Sequence, residues 1–361
     1  MPSGTKPSVL VIGGGPGGVS VARQLFNVAD VTVVDPSPYF EVHWGCLRAV
    51  VEPALADRML VPYESIPRLG TFVNGKVAEL GEKSAKLSDG TVLDFDYAVV
   101  CTGSGYGDAV VKARQASLAE RKATIQDAYA RIVAAKSVLI VGGGPVGVEL
   151  AAEILTDFPG QKTVTLVTSQ DTLLAGNAPR LGTKAKQWLE SRGCKLILGE
   201  RVSKGPPFTL ENSGETLAAD VVFWCTGTKK TTEYMVANFQ NMLDDSGLVK
   251  VDEFLRVEGK EHIFAVGDCN NVKETKLGYL AMAQGAAVAK SIQAIIKKGS
   301  GQPKLQKWVP GKGIDLMVVT FGRKMAYMQV KGIVFGGFLP TKLKCKDVFV
   351  GKTRKDIGMQ A

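Results

Sequence analysis

Histidine is nearly absent, with two in 361 residues, and the six cysteines are scattered without a C-x-x-C pair. A zinc site, which draws on closely spaced His and Cys ligands, is therefore not expected. The dithiol chemistry that disulfide reductases run on neighbouring cysteines is excluded as well. Cys101 and Cys225 lie inside apolar strand patterns and read as buried thiols of a reducing compartment. Long apolar runs are also missing. The longest charge-free stretch, Pro7 to Ala22, has 16 residues and is broken by five glycines, short of the ~18 apolar residues a membrane span needs. An apolar strand pattern begins by Ser8, which leaves no room for a signal peptide. Pro2 stands where N-myristoylation requires glycine, and the end Met359-Gln360-Ala361 is neither a prenylation box nor a peroxisomal tail.

Acid is scarce in one place only. Residues 1–300 hold 32 Lys+Arg and 32 Asp+Glu, whereas residues 301–361 hold 12 basic and 3 acidic side chains. The whole net charge of +9 therefore sits in the last segment. There Lys and Arg are interleaved with Met317, Val318, Val319, Phe321, Met325, Tyr327, Ile333, Phe335, Phe338 and Leu339. Two readings stand: a solvated basic face on a small β layer, or a surface for anionic lipid or nucleic acid. No nucleic-acid motif or stacking pattern accompanies the charge.

Glycine, by contrast, is abundant at 41 residues, and it clusters. VLVIGGGPGGVSVARQL (9–25) and VLIVGGGPVGVELAAEI (138–154) share nine of 17 positions. Each copy reads as a buried strand, a glycine turn and an amphipathic helix. A second echo pairs DYAVVCTGSGYG (96–107) with ADVVFWCTGTKK (219–230). Two separated, ordered repeats imply two copies of one α/β unit, each a parallel sheet fed by βαβ crossovers. Gly13, Gly15 and Gly18 form G-x-G-x-x-G, and Asp35 ends the next strand, where a carboxylate can accept from a ribose 2′-OH. This is a dinucleotide cradle, with the helix N-terminus set against the pyrophosphate. Gly142, Gly144 and Gly147 repeat the turn, but Thr168 stands in place of the acid and no arginine sits beside it. Tolerance of both NADH and NADPH is expected.

Glu149 lies two residues beyond Gly147, where the first copy has Ser20. It either complements the helix dipole or faces the redox rings; Glu153, one turn later, reads as helix surface or an ion-pair partner. Arg48 is a candidate phosphate contact, with a surface salt bridge as the alternative. HIFAVGDC (262–269) closes the set: a strand running into Gly267-Asp268, followed by a helix start at Lys276.

The order GGGPGG, CTG, GGGPVGVE, CTG, AVGDC resembles the pyridine-nucleotide-disulfide oxidoreductase superfamily without its redox cysteines. YFEVHWGCLRA (39–49), GVELAAEI (147–154) and TKLKCKDVFVGKT (341–353) are similar to the apoptosis-inducing-factor-like flavoproteins, the ferroptosis suppressor group in particular, with type II NADH dehydrogenases next. The resemblance implies an α/β fold of two Rossmann-like domains plus a small C-terminal segment. Residues 1–105 with 251–300 would bind FAD non-covalently, 106–250 would bind NAD(P)H, and 301–361 would meet the acceptor and the membrane. It further implies Asp268 on the flavin ribitol, cofactor contacts at Val77, Thr102, Gly103, Tyr279 and Gly227, and Lys344 and Phe349 near flavin and quinone; read from the residues alone, these last two are a surface lysine and a core phenylalanine. The implied activity is hydride transfer from NAD(P)H and reduction of a membrane quinone such as ubiquinone, by a cytoplasmic, peripherally membrane-associated protein able to form a homodimer. A soluble reductase for a protein or radical acceptor, and a nucleic-acid-binding flavoprotein, are the alternatives.

Overall fold

The computed structural model describes residues 6–112, 115–227, 229–298, 301–311 and 316–360; Pro2 lies outside them. The first repeat opens with β1 (Ser8–Ile12), α1 (Pro16–Leu25) and β2 (Asp30–Asp35), followed by β3 (Thr71–Asn74) and β4 (Tyr97–Val100). The second contributes β5 (Ser137–Val141), α2 (Pro145–Asp157), β6 (Thr163–Thr168), β7 (Lys195–Leu198) and β8 (Val221–Trp224). The chain then returns through β9 (Ile263–Ala265) and α3 (Gly278–Lys298), and ends in β10 (Leu316–Thr320), β11 (Ala326–Val330) and β12 (Ile333–Gly336).

Two parallel sheets result, ordered β9-β4-β1-β2-β3 and β7-β6-β5-β8. Their β-branched strands are apolar on both faces because helices and loops cover both; Val9, Val11, Val138 and Ile140 are fully buried. In each sheet the repeat's first strand lies between the second strand and the strand that ends in Cys-Thr-Gly. The strand order reverses there, and such switch points open a crevice at the strands' carboxyl ends. The glycine turns sit in those crevices.

An antiparallel ribbon, Ser104–Gly105 with Lys229–Lys230, joins the two halves. The boundary expected at residue 250 is corrected by the packing. Tyr234, Met235, Phe239 and Val249 bury against Leu10, Ile12 and Ala98 of the first sheet, so the chain returns to the first domain just after Lys230. The C-terminal segment packs on both domains. Strands β10-β11-β12 form an antiparallel sheet; β10 packs on α2 and β11 on the helix Pro179–Ser191. Helix Val350–Asp356 then packs on Ala56–Met59 of the first domain.

Candidate active site

The two glycine turns are built alike. Gly13 and Gly142 have φ of +103° and +128°, the left-handed half of the map that glycine enters freely. A Cβ on Gly18 or Gly147 would lie 1.9 Å from the carbonyl oxygen of Gly13 or Gly142. The third glycine thus lets the first helical turn close onto the loop. A Cβ on Gly15 or Gly144 would meet nothing within 4 Å. Both middle glycines face open space at a helix N-terminus whose first residue is proline, Pro16 or Pro145. This is the amide-lined cradle a pyrophosphate needs. Asp35 accepts from Gly14 N at 2.8 Å and Ser37 N at 2.9 Å, so it braces the turn at the end of β2, where a ribose hydroxyl is met in such cradles. Thr168, the counterpart, is buried, accepts from Gln170 N at 3.3 Å and packs on Gly143.

Between the domains lies a cavity of about 1280 Å³, and all three parts of the chain line it. Gly103, Asp268 and Tyr279 come from the first domain, Glu149 from α2, and Lys344 and Phe349 from the tail. Asp268 accepts from Ser104 Oγ at 2.7 Å. Thr102 lies beside the Tyr234 hydroxyl at 3.4 Å, and its carbonyl accepts from Thr231 Oγ1 at 3.0 Å. Val77 places its side chain in the core with Leu10, and Gly227 turns at φ +73°.

Glu149 neither caps a helix dipole in solvent nor stands alone. Its Oε1 accepts from Lys344 Nζ at 2.6 Å, Thr320 N at 2.8 Å and Thr320 Oγ1 at 2.9 Å. Lys344 spends a second N–H on the Val318 carbonyl at 2.9 Å. One ammonium proton and Oε2 take no part in these bonds, on residues that line the cavity. A π-helical turn, Thr341–Cys345, makes this possible, burying Lys344 while Lys342 and Leu343 stay exposed; such wide turns recur at functional sites. Phe349 follows at φ +62° directly after Val348 at φ +45°, two left-handed residues that turn its ring to the cavity at a conformational cost.

Arg48 requires correction. It is 2% exposed and grips Glu153 through Nε at 3.0 Å and Nη2 at 2.8 Å. It also donates to the Cys345 carbonyl at 2.6 Å and the Gly322 carbonyl at 3.2 Å. A guanidinium so committed is a buried brace, neither a phosphate ligand nor a surface bridge. Glu153 correspondingly is fully buried, and burial is the main cause that raises its carboxyl above the usual range, against the pull of Arg48. Burial also pushes the thiols of Cys46 and Cys269 up to about 12 and about 11. Neither of these cavity-lining cysteines is a thiolate at neutral pH.

Sequence reasoning missed Thr320, the hydroxyl that fixes Glu149. It lies in a tail without a repeat, so no internal comparison could flag it.

A pair of dinucleotide cradles on two doubly wound parallel sheets, with a cavity lined by the helices that follow them, defines the two-dinucleotide-binding class of flavoprotein oxidoreductase. The chain belongs to the pyridine nucleotide-disulphide oxidoreductase family, whose model matches residues 7–287. Among curated relatives, apoptosis-inducing factor homolog B of Dictyostelium discoideum is 33% identical over 379 residues, covering 96% of each chain. Ferroptosis suppressor protein 1 of Xenopus tropicalis is 31% identical over 372 residues, covering 97% of this chain and 96% of that one. The resemblance carried by the motifs is therefore borne out. Among solved structures, a sulfide:quinone oxidoreductase from Aquifex aeolicus superposes with a TM-score of 0.76 at 19% identity, covering 97% of this chain and 91% of the other. NDH2 from Plasmodium falciparum in complex with NADH gives 0.73 at 13% identity, covering 94% and 93%. At such identities these two speak for the fold.

Proposed function

We propose that the protein is an FAD-dependent NAD(P)H:quinone oxidoreductase that works at a membrane surface. The observation that carries this is the position of Leu343. It lines the cavity beside Lys344 and is 46% exposed, at the edge of an outer face where Ile333, Phe338 and Leu339 are exposed at 69%, 80% and 54%. Lys331, Lys342 and Lys346 are exposed in the same stretch, and the Lys342 ammonium stands 5.5 Å over the Phe338 ring. Apolar side chains rimmed by lysine suit a lipid headgroup layer, and no helix among the described residues is long and apolar enough to cross a membrane. A hydrophobic acceptor would thus enter from lipid directly onto the Lys344 wall. A sulfide:quinone oxidoreductase of the same fold, at 19% identity, is consistent with it.

In this reading the Gly13–Gly18 turn, Asp35 and Asp268 hold FAD, while the Gly142–Gly147 turn holds NAD(P)H, with Thr168 imposing no charge against a 2′-phosphate. When bound, FAD supplies the two-electron carrier between nicotinamide and acceptor. The protein's part is to position and to protonate. Lys344 Nζ holds a proton at the acceptor wall, Glu149 keeps that ammonium in place, and Phe349 flanks them. Val146, Leu47 and Met317 keep the wall apolar and limit water. Steady-state NAD(P)H oxidation with ubiquinone in anionic vesicles, compared with a soluble protein acceptor and with duplex DNA as competitor, tests the proposal. Turnover with quinone, indifferent to DNA, is expected; turnover confined to the protein acceptor would overturn it.

A further inference from the structure

Helix α2 carries three carboxylates one turn apart, Glu149, Glu153 and Asp157, and this spacing puts them on one face. Like charges at that spacing repel, and two of the three are buried, at 7% and 1% exposure. Among the described residues, the salt-bridge partner of each comes from outside the second domain that owns the helix. Lys344 of the tail takes Glu149. Arg48 of the first domain takes Glu153. Arg323 of the tail takes Asp157 through Nη1 at 2.6 Å and reaches Glu52 of the first domain through Nη2 at 2.9 Å. The helix is therefore electrostatically complete only where all three parts of the chain meet.

Arg48 has a special place in this ladder. One arm of its guanidinium fixes Glu153, a single turn below Glu149. Another arm fixes the carbonyl of Cys345, the residue next to Lys344. Arg48 thus holds, from a third element, the backbone neighbourhoods of both members of the Glu149–Lys344 pair, yet it is not among the residues that line the cavity. We propose that Arg48 is a positioning residue for the acceptor side of the reaction: its bonds to Glu153 and to the Cys345 carbonyl set the register between α2 and the Thr341–Cys345 turn, and so the place of the Lys344 ammonium. This deepens the quinone reading and rests on it. The geometry requires arginine. A lysine keeps the charge beside Glu153 but, with a single tetrahedral nitrogen, cannot fork onto the carboxylate and also reach the Cys345 and Gly322 carbonyls of the tail.

The test compares wild type with Arg48→Lys as FAD-loaded protein, through three readings: flavin reduction by NADH, reoxidation of the reduced flavin by ubiquinone-1, and reoxidation by ferricyanide, a small soluble oxidant that needs no ordered acceptor wall. Hydrogen exchange of residues 341–349 is measured on the same samples. The proposal expects reduction and ferricyanide reoxidation within about twofold of wild type, quinone reoxidation slowed at least tenfold, and exchange in 341–349 raised at least tenfold with 138–148 unchanged. Equal slowing with both oxidants would show a general structural brace and overturn it, as would wild-type rates with wild-type exchange. If Arg48→Lys does not fold, Arg323→Lys, on the third-exposed outer rung, must shift the same readings in the same direction; an unchanged Arg323→Lys then overturns the proposal. Wild type that is reduced by NADH but not reoxidised by ubiquinone-1 refutes the quinone reading alone, and the exchange data then decide the role of Arg48.

Discussion

Two glycines three residues apart in the same turn carry opposite consequences. Gly18→Ala drives a methyl to 1.9 Å from the Gly13 carbonyl, so the turn must open; roughly 1–3 kcal/mol of stability should go, as in overpacked cores, together with FAD. Gly15→Ala puts its methyl into open space; the FAD-free protein should keep its stability within about 0.5 kcal/mol while FAD affinity falls at least tenfold, about 1.4 kcal/mol. Denaturation of the FAD-free proteins and flavin titration check both, and equal stability losses would contradict the cradle. Glu149 was legible because the repeat sets it against Ser20. Its partners were not: pairing Glu149 with Lys344 and Thr320 spans 195 and 171 residues, and no periodicity encodes that. Glu149→Ala removes the acceptor that anchors Lys344 Nζ. It should fold and retain FAD, yet lose quinone turnover at least tenfold, about 1.4 kcal/mol; unchanged turnover would return Glu149 to a structural role.

At the scale of elements, the repeat extends further than the glycine turns. Asp96 precedes β4 and accepts from Ser8 N at 2.7 Å and Ser8 Oγ at 2.9 Å. Asp220 precedes β8 and accepts from Ser137 N at 2.8 Å and Ser137 Oγ at 3.0 Å. Each carboxylate thus ties the strand before Cys-Thr-Gly to the start of the central strand. Bonds from these serines, backbone N–H first, hold both carboxyls below the usual range. Since the folded value is depressed, this stabilisation is complete above the unfolded value of about 3.9 and is lost as pH falls through the folded value. The double variant Asp96→Asn/Asp220→Asn should therefore show a shallower fall in melting temperature between neutral pH and about pH 3. An undiminished acid slope would contradict it. The strand echo aligned these two acids in sequence, but only the structure shows the serines they hold.

For the whole molecule, the two dinucleotide domains were readable because local rules and the repeat agree at every step, as at Ser8–Ile12 against Ser137–Val141. The boundary after Lys230 was not, because Tyr234 and Phe239 join the first core through tertiary packing with no compositional break. The seating of the tail was equally hidden, since nothing in the sequence pairs Arg48 with Glu153, Arg323 with Asp157 or Lys344 with Glu149. What the tail's composition did announce is its outward face. Wild-type protein should sediment with anionic vesicles at low salt and be released near roughly 0.5 M NaCl, where the Debye length is only a few ångströms. Reversal of Lys342 and Lys346 to Glu should weaken binding strongly, each lysine contributing about 1 kcal/mol near the surface. Phe338→Ser with Leu339→Ser should weaken it at all salt concentrations. Equal binding by every variant would mean that this face does not meet the bilayer.

The central claim, one cavity that passes electrons from nicotinamide to quinone, is tested most directly by anaerobic stopped-flow on the purified protein, following the flavin absorbance through both half-reactions. The account predicts that NADH and NADPH each bleach the flavin, with efficiencies within about tenfold, about 1.4 kcal/mol, because Thr168 carries no charge to discriminate them. It predicts that mixing the bleached protein with a short-chain ubiquinone restores the absorbance in a single turnover. A flavin that neither nucleotide bleaches, or a bleached flavin that ubiquinone leaves reduced, would contradict it.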